Sequence, residues 1–287
     1  MKNILLATDL ATVTNRAFER AVKLASTSGA KLHILHLCPL YSFSKKKKQK
    51  ISLKQDAEDM IKNSLDACKG VKKLNTTITV IEGGETFAEI INHAEKIKAG
   101  LIVMGMHGKV KLRDMFVGTT IERVIRKGVK PVLMVRDKPL GDYKSVLVGT
   151  DFSEGSKRVF HIALELAPSS LFHLVHTYGF PNIDIGDYLI HNSQQLMKDL
   201  ADNRLEKYIK ENKKILKRHK IGPENFNYRT VEGDTYASLL REAAKVKSDL
   251  IAIGTHSHVS LMPYKLGGTA RDILSSPPCD VLISKGL

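Results

Sequence analysis

The chain repeats one series of short apolar runs twice along its 287 residues. The matching runs are 3–9 and 145–151, 101–105 and 250–254, and 132–134 and 281–283. Similar order and spacing over the whole length indicate a tandem duplication. We therefore expect two domains, 1–138 and 144–287, joined by a short linker that contains proline and glycine.

Within each copy, strand-length apolar runs alternate with patterns typical of amphipathic helices. In the first copy the spacing predicts strands at 3–8, 32–37, 77–81, 101–104 and 131–135, and helices at about 14–28, 51–69, 86–97 and 119–127. This alternation predicts an α/β fold with a parallel sheet covered by helices on both faces. The second copy carries about ten extra residues after its second strand, which we expect to lengthen both the loop after that strand and a basic helix at about 193–219.

A glycine-rich loop follows the fourth strand of the first copy. It reads Gly105, two residues, Gly108, nine residues, Gly118, and then Thr119 and Thr120. Glycine lets the backbone approach a phosphate closely, and the first N–H groups of the following helix point towards it. The sequence therefore predicts an anion site at this loop.

Other polar groups follow neighbouring strands of the predicted sheet. In open parallel sheets, ligands bind beyond the carboxyl ends of the strands. Asp9 follows the first strand and suits a ribose hydroxyl or an adenine amino group, while the backbone at Leu37 suits an adenine edge. The alternative for Asp9 is an Asx turn or a cap for the helix near residue 14.

These features together resemble the universal stress protein family in its tandem two-domain form. Gly105, Gly108, Gly118 and Thr119 match the family's adenine-nucleotide fingerprint, Asp9 matches its early aspartate, and His36-Leu37 matches its second strand. The resemblance implies two Rossmann-like (adenine-nucleotide α-hydrolase-like) domains. Each would hold five parallel strands in the order 3-2-1-4-5, and the two halves would pair as an intramolecular pseudo-dimer.

The second copy departs from this fingerprint. Ser257 replaces the second glycine, Gly268 replaces the hydroxyl residue, and Pro263 removes one N–H donor from the loop. Because serine does not replace glycine cheaply at a close approach or at positive φ, we expect nucleotide binding there to be weaker or absent.

The expected ligand is ATP, with or without magnesium. The first site is predicted to comprise Asp9, Leu37, Met104, Gly105, Gly108, Gly118, Thr119 and Thr120. The weaker second site is predicted to comprise Asp151, Thr177, Gly254, Ser257, Gly267 and Gly268.

The sequence offers no obvious nucleophile–base pair, so we predict no catalytic residues and at most slow ATP hydrolysis. No metal site is expected, although His173, His176, His256 and His258 leave zinc open as an alternative. The favoured function is an ATP-binding stress-response sensor or regulator with an unknown protein partner. The alternatives are a slow ATPase or nucleotide hydrolase, and a nucleic-acid-binding module.

The net charge of +15 lies mostly in residues 1–140 and favours an anionic partner, which leaves a nucleotide, a nucleic acid or a membrane surface. A nucleic-acid binder would use the basic first half at 45–50 and the helix near 207–220, but we do not expect one. No apolar run is long enough to span a membrane, and no membrane partner is expected. Three scattered cysteines and the absence of a signal-peptide pattern favour a cytoplasmic protein.

Overall fold

The computed structural model of the protein describes residues 1–10, 15–38, 47–68, 74–106, 119–179, 187–255 and 266–286. The chain divides into two compact units, Met1–Asp142 and Tyr143–Leu287. Strands and helices alternate in each unit, which confirms the predicted α/β class.

The first unit contains five strands and four helices among its described residues. They are β1 (Asn3–Thr8), α1 (Asn15–Ser28), β2 (Lys31–Cys38), α2 (Lys47–Ala67), β3 (Thr76–Glu82), α3 (Thr86–Lys96), β4 (Leu101–Gly105), α4 (Thr120–Lys127) and β5 (Val132–Val135). The strands lie in the order β3-β2-β1-β4-β5, and the neighbouring pairs are parallel. This is the predicted order.

The central strands of this sheet have no solvent-facing side. Ile4, Leu5 and Leu6 of β1 are fully buried, and so are Leu101 and Val103 of β4. Continuous apolar runs of this kind are typical of parallel sheets covered on both faces, and they explain why the strands could be predicted from runs rather than from alternation.

The second unit repeats the arrangement. Its elements are β6 (Ser145–Gly149), α5 (Glu154–Leu166), β7 (Leu171–Tyr178), α6 (Asp187–Arg218), β8 (Phe226–Glu232), α7 (Thr235–Lys245), β9 (Leu250–Gly254), α8 (Gly268–Ser275) and β10 (Asp280–Ser284). Its strand order, β8-β7-β6-β9-β10, is the same 3-2-1-4-5 in local numbering, and neighbours are again parallel.

Helix α2 differs most from its predicted bounds in the first unit, because it begins at Lys47 rather than near residue 51. Part of the basic run at 45–50 therefore belongs to the helix. Lysine and glutamine have good helix propensity, so a polar run before an amphipathic helix extends that helix. Among the described residues, no helix is both long and apolar enough to cross a membrane.

Candidate functional site

The strand register brings the predicted groups of the first unit to one edge of the sheet. Thr8 lies opposite His36, and Ala7 lies opposite Met104. The residues that follow these pairs are Asp9, Leu37 and Gly105, so three separate chain segments end side by side. This is the edge at which open parallel sheets bind ligands.

A cleft of about 620 Å³ opens at this edge. Five predicted site residues line it, namely Asp9, Leu37, Met104, Gly105 and Thr120. The volume lies within the ordinary range of small-molecule sites, roughly 300–1,000 Å³. Gly108 and Gly118 lie outside the described residues.

Thr119 has a local role at the border of this cleft. It is the N-cap of α4, and its hydroxyl oxygen accepts a hydrogen bond from the Glu122 amide at 3.2 Å. The next two amides, of Thr120 and Ile121, have no intrahelical acceptor, because the first turn of a helix offers none. Both residues line the cleft, so this helix end offers N–H donors and a positive dipole end to an anion.

The other side of the cleft depends on the turn after β1. Leu10 adopts φ 59°, and its amide donates to the Thr8 hydroxyl at 3.1 Å. His36 Nδ1 lies 2.8 Å from the Thr8 carbonyl oxygen. A carbonyl oxygen only accepts, so Nδ1 carries the proton, and this bond joins the ends of β1 and β2.

Several cleft residues were not among the predicted site residues. They are Ala7, Thr8, His36, Cys38, Gly83, Gly84, Thr86, Ile90 and Ile121. Apart from His36, which the family resemblance had already named, their signal in the sequence was position alone, since each lies at a strand end or in the first turns of the next helix. Cys38 adds a half-buried free thiol. Burial is the larger cause that raises the pKa of this thiol, and the negative charge of Glu82 raises it further.

Two adjacent glycines shape the turn between β3 and α3. Gly83 and Gly84 adopt φ 74° and 84°, and a Cβ atom on Gly84 would lie 2.9 Å from the Glu89 side chain. L residues other than glycine rarely adopt this conformation. The second unit has one such glycine at this turn, Gly233, before Asp234 caps α7.

The second unit has a smaller cleft of about 360 Å³ at its equivalent edge. Asp151, Thr177, Gly254, Gly267 and Gly268 line it, whereas Ser257 lies outside the described residues. Helix α8 begins after Gly267, which provides no side-chain cap. The cleft therefore keeps the predicted backbone positions and has the Thr269 hydroxyl in its lining, but its helix lacks the capping hydroxyl that Thr119 provides in the first unit.

Asp151 participates in a local cap. Its carboxylate oxygen accepts from the Ser153 amide at 3.0 Å and from the Ser153 hydroxyl at 2.6 Å, and Ser153 is the N-cap of α5. This is the Asx-turn alternative that the sequence left open for Asp9.

An aromatic cluster joins α6 to the strand ends of the second unit. The ring of Phe152 lies 4.3 Å from that of His176 and 5.5 Å from that of Tyr208, and the Arg204 guanidinium lies 5.0 Å from the Phe152 ring centre. Burial is the main cause that lowers the pKa of His176, and burial also raises the pKa of Tyr208. Sequence reasoning missed this cluster because its members come from three distant segments.

The histidines considered for zinc do not form a described ligand set. His176 Nδ1 lies 2.8 Å from the Thr150 carbonyl oxygen, in the same way as His36 in the first unit. His256 and His258 lie outside the described residues. Among the residues that the structure describes, no three or more His, Cys, Asp or Glu side chains are grouped to hold a metal ion.

Comparisons of sequence place both halves in one group of proteins. The sequence profile of the Universal stress protein family matches residues 1–136 and again residues 142–285. A universal stress protein of Methanocaldococcus jannaschii is 31% identical over 140 residues, which are 47% of this chain and 82% of that protein. The universal stress protein YxiE of Bacillus subtilis is 27% identical over 149 residues, which are 46% of this chain and 97% of that protein.

A solved structure resembles the whole chain. The crystal structure of a universal stress protein from Archaeoglobus fulgidus superimposes with a TM-score of 0.68. The sequences are 17% identical, and the match covers 99% of this chain and 98% of that one. At this identity the likeness shows a shared fold.

Proposed function

The chain belongs to the universal stress protein family, and on that premise we propose that its first half binds ATP as a regulatory ligand. The protein would act as a sensor or regulator in a stress response rather than as a fast enzyme. The single observation that carries this proposal is the convergence at one cleft of Asp9, Leu37, Met104, Gly105 and Thr120, which come from four segments of the chain.

The cleft offers different chemistry at its two sides, as a nucleotide requires. The start of α4 supplies amides and the Thr120 hydroxyl, which suit phosphate oxygens. Leu37, Ile90 and Met104 supply apolar surface, which suits a flat base, and the Asp9 carboxylate suits hydroxyl or amino donors. These residues fit ATP, and magnesium would be held by its phosphates rather than by a cage of protein ligands.

The described lining also supports low turnover. Its ionisable side chains are Asp9, His36 and Cys38. The Nδ1 proton of His36 is committed to the Thr8 carbonyl oxygen, and the raised pKa keeps the Cys38 thiol protonated at neutral pH. Asp9 and the Nε2 atom of His36 can still accept a proton, so slow hydrolysis, far below the roughly 1 per second or faster of ordinary enzymes, is an expectation that phosphate counting tests.

We propose that the second half binds nucleotide weakly or not at all. Its cleft is smaller, Asp151 is engaged with Ser153, and α8 begins at a glycine that offers no hydroxyl. From the family resemblance we further propose that the two halves pair as a pseudo-dimer and that the protein is cytoplasmic. Separately produced halves, 1–142 and 143–287, should associate when mixed if the pairing proposal is correct.

Mass spectrometry of ligands released from the purified protein tests the identity of the ligand. We expect an adenine nucleotide at no more than one per chain, or its uptake after ATP is added to ligand-free protein. Counting phosphate released with magnesium and ATP then tests the regulatory role. Turnover at or above about 1 per second would identify an enzyme instead and contradict the proposal.

A further inference from the structure

Helix α6 is longer than its counterpart in the first unit. It runs for 32 residues, whereas α2, at the same position in the repeat, runs for 21. The additional length belongs to the second copy alone. In the first unit a helix of the length of α2 is enough to cover the sheet at this position. We therefore searched the longer α6 for a second role.

One face of α6 packs on the protein and the opposite face is exposed. The buried face consists of Ala201, Leu205, Tyr208, Asn212 and Leu216. The exposed residues opposite it follow helical spacing, and we call them the outer stripe: Leu196, Leu200, Asn203, Lys207, Lys210, Lys214 and Arg218. Leu196 is 59% exposed and Leu200 is 50% exposed, so two leucines precede four cations along one line.

The charge around the C-terminal half of this stripe is strongly one-sided, whereas residues 196–206 hold three carboxylates and two cations. Residues 207–220 contain seven lysine or arginine side chains and one carboxylate, that of Glu211. On the stripe itself, Lys210 lies 3.8 Å from Glu206, which is an exposed pair of small energetic weight. The C-terminal half of α6 therefore presents a cationic surface.

The fold does not require this charge, because α2 as a whole is nearly neutral, with five lysines and four carboxylates over Lys47–Ala67. Its residues 53–67 include four carboxylates and two lysines. Helix α2 also exposes apolar side chains, Leu53 at 49% and Met60 at 50%. Exposed apolar groups therefore recur at this position in both units, and in α6 they precede a segment, 207–220, of seven cations and one carboxylate.

We propose that the outer stripe of α6 docks on an anionic lipid surface. Lysines near a membrane are attracted by acidic headgroups, and leucines on the same line can enter the boundary between headgroups and acyl chains. Long lysine stems suit this interface, since the apolar stem packs while the charge stays in water. A helix that lies on a surface need not span it, and the proposal departs in this respect from the expectation of no membrane partner.

The leucines distinguish a lipid surface from a nucleic acid. Phosphate contacts with DNA or RNA use lysine and arginine, and they give Leu196 and Leu200 no role. A lipid surface uses both halves of the stripe. The proposal does not depend on ATP, because none of the stripe residues lines either cleft.

Co-sedimentation of the full-length protein with phosphatidylglycerol vesicles and with phosphatidylcholine vesicles tests the proposal. We expect binding to the anionic vesicles only, falling steeply as the salt concentration rises. Replacing Lys207, Lys210 and Lys214 by Glu should weaken binding about tenfold or more. The matched control replaces three exposed lysines elsewhere, Lys54, Lys98 and Lys247, by Glu, and it should retain most of the binding at the same net charge.

A second variant tests the leucines at sites where the fold is insensitive. Replacing Leu196 and Leu200 by Gln, which has similar helix propensity, should leave the melting temperature nearly unchanged, because both side chains are exposed, and should reduce vesicle binding severalfold. Three results would overturn the proposal. They are no binding to anionic vesicles, equal loss in the control variant, and salt-dependent binding of an RNA or DNA oligonucleotide that the leucine variant leaves intact.

Discussion

His36 Nδ1 donates to the Thr8 carbonyl oxygen across 2.8 Å and thereby joins the end of β2 to the end of β1. The second unit repeats this bond between His176 and Thr150 at the same distance. The pair sets the spacing of two strand ends at the edge of the cleft in the first unit. The repeated bond also provides a built-in comparison between the two halves.

Replacing His36 by Leu should destabilise the first half by about 1 kcal/mol, because the Thr8 carbonyl loses its partner. ATP affinity should fall as well, since His36 lines the cleft. Replacing His176 by Leu breaks the equivalent bond in the second half, and it should cost stability without changing ATP affinity. Denaturant unfolding and calorimetry measure the two effects, and equal loss of affinity in both variants would contradict the assignment.

Cys38 offers a chemical footprint of the cleft. Bound ATP should slow the alkylation of Cys38 by iodoacetamide, because the thiol lines the site. Cys68 is the matched control, since it is also a half-buried thiol with a pKa raised by burial, but it lies outside the cleft lining. Peptide mass spectrometry, run at pH about 9 where more thiolate forms, reads both rates. Protection of both cysteines alike would point to a general change rather than occupancy.

Gly254 and Gly268 should respond oppositely to the same substitution. A Cβ atom on Gly254 would lie 2.9 Å from the Ser156 nitrogen and 3.2 Å from the Gly155 carbonyl carbon, both backbone atoms, so Gly254→Ala should cost about 1–3 kcal/mol. A Cβ atom on Gly268 meets nothing within 4 Å, and Gly268→Ala should be neutral or slightly stabilising. Thermal unfolding distinguishes them, and equal effects would show that close approach is not the cause.

The first half should lose stability in mild acid. Burial lowers the pKa of His33 and of His93 below the ordinary 6.5, and the nearby Lys31 and Lys96 lower these values further. Both Nε2 atoms are buried without a hydrogen-bond partner in the described structure. The unfolded chain therefore binds more protons, so the stabilisation is complete above pH about 6.5 and declines as pH falls below it.

Replacing His33 and His93 together by Leu should reduce the decline in the free energy of unfolding below pH about 6.5. The measurement is the free energy of unfolding against pH, compared between the variant and the unsubstituted chain. Subtracting one profile from the other removes the contribution of other histidines, such as His173 and His219, whose pKa values burial also lowers. A difference that does not change between pH about 7.5 and 5 would show that this pair does not titrate on unfolding.

The fold could be predicted from the sequence because the signals for it were local and occurred in both copies. Apolar runs such as 101–104 and their spacing predicted the strands, and the repeat and family resemblance predicted the order. Polar helix starts were less visible, as at Lys47, because propensity rather than hydrophobic pattern sets them. Site positions at strand ends, such as Leu37 and Gly105, followed from topology once a parallel sheet was inferred.

The sequence could not show which of several available groups each polar or aromatic side chain contacts in the folded protein. Asp151 looked like a retained ligand group, yet Ser153 two residues later engages it in a helix cap. The contact of Phe152 with Tyr208 depends on how α6 lies against β6 and β7, which no local pattern encodes. Side chains that meet across distant segments are visible only after folding.

Isothermal titration calorimetry with ATP tests most directly whether each chain holds one nucleotide, bound by its first half. We expect one site per chain in the unsubstituted protein. Replacing Gly108 and Gly118 by Val should abolish binding, whereas Val at the equivalent Ser257 and Gly267 should preserve it, with thermal unfolding to verify that each variant is folded. Two equivalent sites, or undiminished affinity in the Gly108 and Gly118 variant, would contradict the account.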